Sequence, residues 1–105
     1  MSQRHDFRHV PVALSLLDRT IGLIGRDQTT SSLLIRNCSA VHTCFMRAPI
    51  DIIFLDQAGL IVSVRERVPP WRVQIGPWKA TDVLELPAGH AHEVGLAVGD
   101  FAVFG

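Results

Sequence analysis

Two carboxylates sit inside apolar runs, and their type and placement could do chemistry. Asp51 lies in Ile50-Asp51-Ile52-Ile53-Phe54-Leu55 and Glu85 in Val83-Leu84-Glu85-Leu86. Read as strands, these runs alternate their side chains, with Ile50, Ile52 and Phe54 on one face and Asp51, Ile53 and Leu55 on the other. A carboxylate among such neighbours loses water and needs donors in its place. Arg47 is the nearest cation to Asp51 in sequence, and backbone N–H groups near Pro87–Gly89 are the other source. Pairing to such donors is the structural role expected of Asp51. Two carboxylates on neighbouring strands could also share a proton or hold a cation. That would give a small acid–base enzyme with Asp51 and Glu85 as the working pair and His42 as a proton shuttle. No nucleophile–base pair, phosphate loop or metal motif accompanies them. The reading favoured over the enzyme is therefore a non-catalytic binding or accessory module for a small molecule or a protein. Its ligand-binding residues would be Arg47, Asp51, Glu85 and His42, and no catalytic residue is assigned.

The remaining candidates are weaker. His42 and Cys44 are two apart and would share one strand face, and His90 and His92 have the same spacing. On a helix, residues two apart diverge by about 200°. The set matches no metal-ligand pattern, so neither metal nor cofactor is expected. Cys38 and Cys44 would lie about 20 Å apart on one extended segment and read as reduced, partly buried thiols. Asp100 follows Gly99 and reads as a turn residue. Pro87-Ala88-Gly89 could present free N–H groups at a helix start, a weak anion-binding signal. Trp71 and Trp78 flank a Gly-Pro and are expected to pack in the core or at its rim, the alternative being an exposed aromatic lip.

The elements that must position these residues are short. Phe7–Leu14 alternates weakly as a first strand. Ser15-Leu16-Leu17-Asp18 has the form of a capping box, and Leu16, Leu17, Ile21 and Ile24 give a helical face that Gly25 stops. Strands follow over Ser32–Arg36, Val41–Met46 and Ile50–Leu55. The last forms a hairpin with Leu60–Val68 through Asp56-Gln57-Ala58-Gly59. Pro69-Pro70 ends that strand, and Trp71, Val73 and Ile75 alternate in the next. Val83–Leu86 is a strand, Pro87–Val94 is one or two helical turns stopped by Gly95, and Phe101–Phe104 closes the chain. The fold expected is mainly β: a small antiparallel β-sandwich or partly closed barrel with one or two short helices, in a single domain over residues 1–105.

Three blocks in this order resemble the domain of unknown function 192 family. The first is Gly22-Leu23-Ile24-Gly25-Arg26. The second runs from His42 through Phe45-Met46-Arg47-Ala48-Pro49-Ile50-Asp51 to Asp56. The third is Val83-Leu84-Glu85-Leu86-Pro87-Ala88-Gly89, with Gly95 and Gly99-Asp100 behind it. The resemblance implies a small β-sandwich with no established reaction. Cys44 and Ala48 stand where bulkier aromatic or polar residues are usual, so a pocket lined by those positions would have a different wall here.

Composition narrows the function classes. Ten basic and ten acidic residues among 105 give zero formal net charge, with no block of one sign, so nucleic acid and membrane surfaces are not expected partners. A chain 48% hydrophobic and 19% charged can build one core. Low net charge also leaves little repulsion between copies, which is compatible with a weak homo-oligomer. The apolar run in His9–Leu17 is interrupted by Pro11 and closed by Asp18 and Arg19. It is not read as a signal peptide, no stretch is long enough to span a membrane, and the expected location is cytoplasmic.

Overall fold

The computed structural model describes residues 2–13, 32–44 and 46–105. Among them are nine strands: β1 (Arg4–Asp6), β2 (Val12–Ala13), β3 (Leu33–Arg36), β4 (Ala40–His42), β5 (Ile50–Leu55), β6 (Ile61–Val68), β7 (Val73–Ile75), β8 (Asp82–Pro87) and β9 (Phe101–Val103). One five-residue helix, α1 (His90–Val94), precedes β9. The helix expected over Leu16–Ile24 lies outside the described residues.

A five-stranded sheet in the order β2-β3-β8-β5-β6 forms the centre, and two-stranded ribbons β1-β9 and β4-β7 flank it. β5 is buried along its whole length because it has a strand on each edge and a layer on each face. On one face Leu33, Ile35, Ile50, Ile52, Phe54 and Val83 pack against Val41, Met46 and Ala80 of the β4-β7 side. On the other, Leu34, Ile53, Leu55, Leu84 and Leu86 pack against Phe7, Ala91 of α1 and Ala102 of β9. The alternation read along Ile50–Leu55 is thus real, but both sets of side chains are covered.

The architecture is the expected β-sandwich-like one, and it is not a closed barrel. β3, β8, β5 and β6 pair antiparallel, whereas β2 pairs β3 and β1 pairs β9 in parallel. The single first strand expected over Phe7–Leu14 is replaced by β1 and β2. Between them the Asp6 carboxylate accepts the Arg8 N–H, and Val10 N–H donates to Phe7 O, so the chain turns before Pro11. The hairpin after β5 forms as expected. Asp56 Oδ1 accepts the N–H groups of Ala58 and Leu60, and Gly59 takes φ 87°. Gly59 is required there twice over, because a Cβ would also collide with Ala102 O on β9.

β6 carries two irregularities. Ile50 faces Val68 and Ile52 faces Arg65, so β6 spends one residue more than β5 over that interval, and a second shift occurs between Phe54 and Leu55. The first shift is a β-bulge with Arg67 in the left-handed region, φ 52°. Among the described residues no helix is long and apolar enough to cross a membrane.

Candidate functional site

Asp51 is fully buried on β5, on the sheet face that α1 covers. Its Oδ1 accepts the Arg67 N–H at 2.8 Å and its Oδ2 accepts the Ala91 N–H at 2.9 Å. Both donors are there for local reasons. The bulge removes Arg67 N–H from the ladder. Ala91 belongs to the first turn of α1, whose N–H groups have no partner within the helix. The N-cap position is Gly89, at φ 89°, which has no side chain to serve as cap. Asp51 therefore caps α1 from a neighbouring strand. Turn and bulge also touch, since a Cβ on Gly89 would lie 3.2 Å from Arg67 Nη2. The expectation that Asp51 is paired holds, with backbone donors. Arg47 does not supply them: it is exposed and forms no ion pair with Asp51.

Glu85 is also buried, but on the opposite face. Antiparallel partners share a face, and the register sets Asp51 opposite Leu86 and Ile52 opposite Glu85. The two carboxylates thus point to opposite sides of one sheet. The acid–base pair considered from the sequence is not assembled. His42 ends β4, half-buried, and its Nδ1 has no hydrogen-bond partner among the described residues. Thr43, next in the chain, is fully buried. Its hydroxyl donates to Pro69 O at 2.7 Å and accepts the Arg72 N–H at 2.9 Å, tying β4 to the approach to β7. Asp51 and Glu85 therefore do not share one site. Among the described residues no three His, Cys, Asp or Glu side chains gather as a metal site would require. His90 and His92 both lie on α1, where the helical twist separates them, and Cys38 and Cys44 are free thiols. Asp100 is more than a turn residue. It accepts hydrogen bonds from Gln3 N–H, His5 Nε2 and Ala97 N–H, and its pairing to His5 holds the carboxyl below its ordinary range.

The surface that stands out is the outer side of the β4-β7 ribbon. Val73 and Ile75 are 68% and 69% exposed, with Trp71 at 60% and Trp78 at 89% close by. Core or rim packing was expected for the two tryptophans, and both are exposed instead; for Trp71 and its neighbours on β7 the reversal has a physical cause. Gln74, between Val73 and Ile75, turns inward and accepts a hydrogen bond from Arg65 Nη1 at 3.1 Å, while the Arg65 guanidinium lies 4.7 Å from the Phe54 ring centroid. Gly76 rests on the same ring so closely that a Cβ there would be 2.5 Å from it. Seating the ribbon on Phe54 commits Gln74 to the inside and its apolar neighbours to the outside. Alternation marked the strand and concealed which set faces water.

The edge of β7 is open as well. Thr43 N–H donates to Arg72 O and Gly76 N–H to Ser39 O, so residues 72, 74 and 76 direct their backbone groups toward β4. Val73 and Ile75 direct theirs to the other edge, where no strand is paired among the described residues.

Comparison with known proteins places this geometry in a family. Residues 1–104 match the sequence pattern of DUF192, described as "Uncharacterized ACR". A UPF0127 protein of Pyrococcus horikoshii is 30% identical over 96 residues, covering 87% of this chain and 83% of the relative. One from Pyrococcus abyssi is also 30% identical, over 87% of this chain and 81% of its own length. Among solved structures, a Sinorhizobium meliloti protein described as a "putative transcription regulator" superposes with a TM-score of 0.71 at 23% identity, over 84% of this chain and 74% of its own. A Novosphingobium aromaticivorans protein of unknown function gives 0.68 at 18% identity, over 84% and 69%. At these identities the two structures share the fold. The match over nearly all of the sequence settles the rest: this chain belongs to the DUF192 family of uncharacterised small proteins.

Proposed function

We propose that the protein is a non-catalytic binding module whose contact surface is the open edge and outer face of β7, and that the partner seated there is a second copy of the chain. The observation that carries this reading is the pair Val73 and Ile75, each about two-thirds exposed on an edge that no strand pairs among the described residues. A flat apolar edge strand invites another strand. Pairing antiparallel about a two-fold axis at Gln74 sets Val73 of each copy opposite Ile75 of the other. Val73 and Ile75 carry no charge to oppose this, and the whole chain has zero formal net charge. The exposed parts of Val73, Ile75 and the two tryptophans amount to on the order of 600 Å², against about 800 Å² per partner in stable complexes, so the dimer is a weak one. The opposed directions of Asp51 and Glu85 count against the acid–base alternative. The free thiols of Cys38 and Cys44 support a reducing, cytoplasmic setting.

Sedimentation velocity over a concentration series tests the reading. Wild type should shift from monomer to dimer between roughly 1 μM and 1 mM, the range expected of a small interface. Ile75→Lys should remain monomeric throughout. Wild type that stays monomeric over the range, or an Ile75→Lys variant that dimerises equally well, would overturn it.

A further inference from the structure

A cleft of about 400 Å³ opens between the β5–β6 turn, β9 and the ends of β3 and β8. Its walls include Arg4, Arg36, Asp82, Phe101, Gln57 and Gly59. The volume falls in the range of small-molecule sites, roughly 300–1,000 Å³. We propose that this cleft binds a small organic anion, a compact apolar body carrying one oxyanion head, carboxylate or phosphate.

The electrostatics point to the sign. Two guanidinium groups line the cleft against one carboxylate, and that carboxylate is already engaged. Asp82 is 6% exposed; its Oδ1 accepts the Asn37 N–H at 3.1 Å and its Oδ2 accepts Arg36 Nη1 at 3.3 Å. Asp82 thus orients Arg36. A guanidinium has five N–H donors in a rigid fork, and this contact uses one of them. Arg4 has no carboxylate partner among the described residues and lies over the Phe101 ring, 6.0 Å from its centroid. Cation and ring side by side offer an oxyanion a charge and its apolar body a surface. The close approach of Gly59 to Ala102 joins the turn to β9 and fixes that wall before any ligand arrives.

Isothermal titration calorimetry on the full chain tests the assignment with four probes: phenyl phosphate, benzoate, inorganic phosphate and phenol. Phenyl phosphate or benzoate should bind with a Kd of about 1 mM or tighter, and at least about tenfold more tightly than phenol and inorganic phosphate. Whichever of the two binds more tightly identifies the head group. Arg4→Gln, at an exposed position that leaves the fold intact, should weaken binding about tenfold. Arg36→Lys should weaken it by a similar factor while keeping the contact to Asp82, and thermal unfolding confirms that both variants are folded. Equal binding of phenol, no binding by either aromatic anion, or unchanged affinity in folded Arg4→Gln would each overturn the proposal.

Discussion

The central sheet has two covers, and they are held by different means. On one face, α1 and the β1-β9 ribbon are fastened by carboxylates that accept backbone N–H groups: Asp51 holds α1 to the β6 bulge, and Asp100 holds the start of β1 to the loop before β9. On the other face, the β4-β7 ribbon sits on a ring, with Gly76 against Phe54 and Arg65 joining that ring to Gln74. The first arrangement encloses its polar groups and leaves nothing to spare. The second fixes the inner side of the ribbon and thereby exposes Trp71, Val73 and Ile75. A polar fastening completes a structure, whereas an apolar seat whose inward position is taken by Gln74 leaves an apolar surface exposed.

That contrast makes graded predictions. The largest effect should come from Asp51→Ala, which leaves the buried Ala91 N–H and the part-buried Arg67 N–H without acceptors and should cost about 3 kcal/mol in a urea titration. Asp51→Asn keeps the shape and one acceptor oxygen and should cost less. If Asp51→Ala lies within about 0.5 kcal/mol of wild type, the carboxylate is no fastening and the comparison fails. Next, Gly76→Ala places a methyl group into the Phe54 ring and should cost about 2 kcal/mol, since the ring is buried and cannot retreat freely. A neutral result there would show that the ribbon does not depend on its seat.

A pH profile sharpens the first cover. The Asp100 carboxyl is held below its ordinary 3.8 by the hydrogen bond from His5 and the N–H groups of Gln3 and Ala97. A carboxyl lowered by folding stabilises above its unfolded value, and that contribution is lost as pH falls through the folded one. Wild type should therefore lose stability below about pH 3.8 more steeply than Asp100→Asn, measured by thermal unfolding from pH 5 to pH 2. Parallel curves for the two proteins would remove Asp100 from the list of fastenings. The smallest effect belongs to the outer face of the second cover. Val73→Lys should change monomer stability by less than about 0.5 kcal/mol at low concentration, because it touches no inner contact.

Much of the sheet was legible because β5, β6 and β8 have strong local signals. Ile50–Leu55 reads as a strand between Pro49 and the Asp56–Gly59 turn, and Pro69-Pro70 marks the end of β6 plainly. Asp51 was legible as a buried carboxylate in need of donors, because that follows from its neighbours alone. Its actual donors were not, since Arg67 N–H is released by a bulge and Ala91 lies forty residues away in sequence. Pairing Asp51 with Glu85 failed for a reason that alternation cannot supply: the register of β5 against β8, set by packing, decides whether two residues share a face. The exposed β7 face was hidden by the ordinary rule that apolar residues turn inward. Here Gln74 takes that place because Arg65 and Phe54 are already waiting for it.

The parallel pairing of β1 with β9 has a consequence for how the chain reaches this structure. Arg4 lies beside Phe101 and Asp6 beside Val103, so closing that ribbon joins residues almost a hundred positions apart. Loop closure over such a span is entropically costly and comes late in folding. During synthesis, β5 and β6 can pair as a local hairpin soon after emerging, while β1 waits unpaired until β9 has been made. The apolar surface around Phe7 and Leu34 stays unsheltered for that interval, so a nascent chain stalled before β9 is the form of this protein most prone to aggregate.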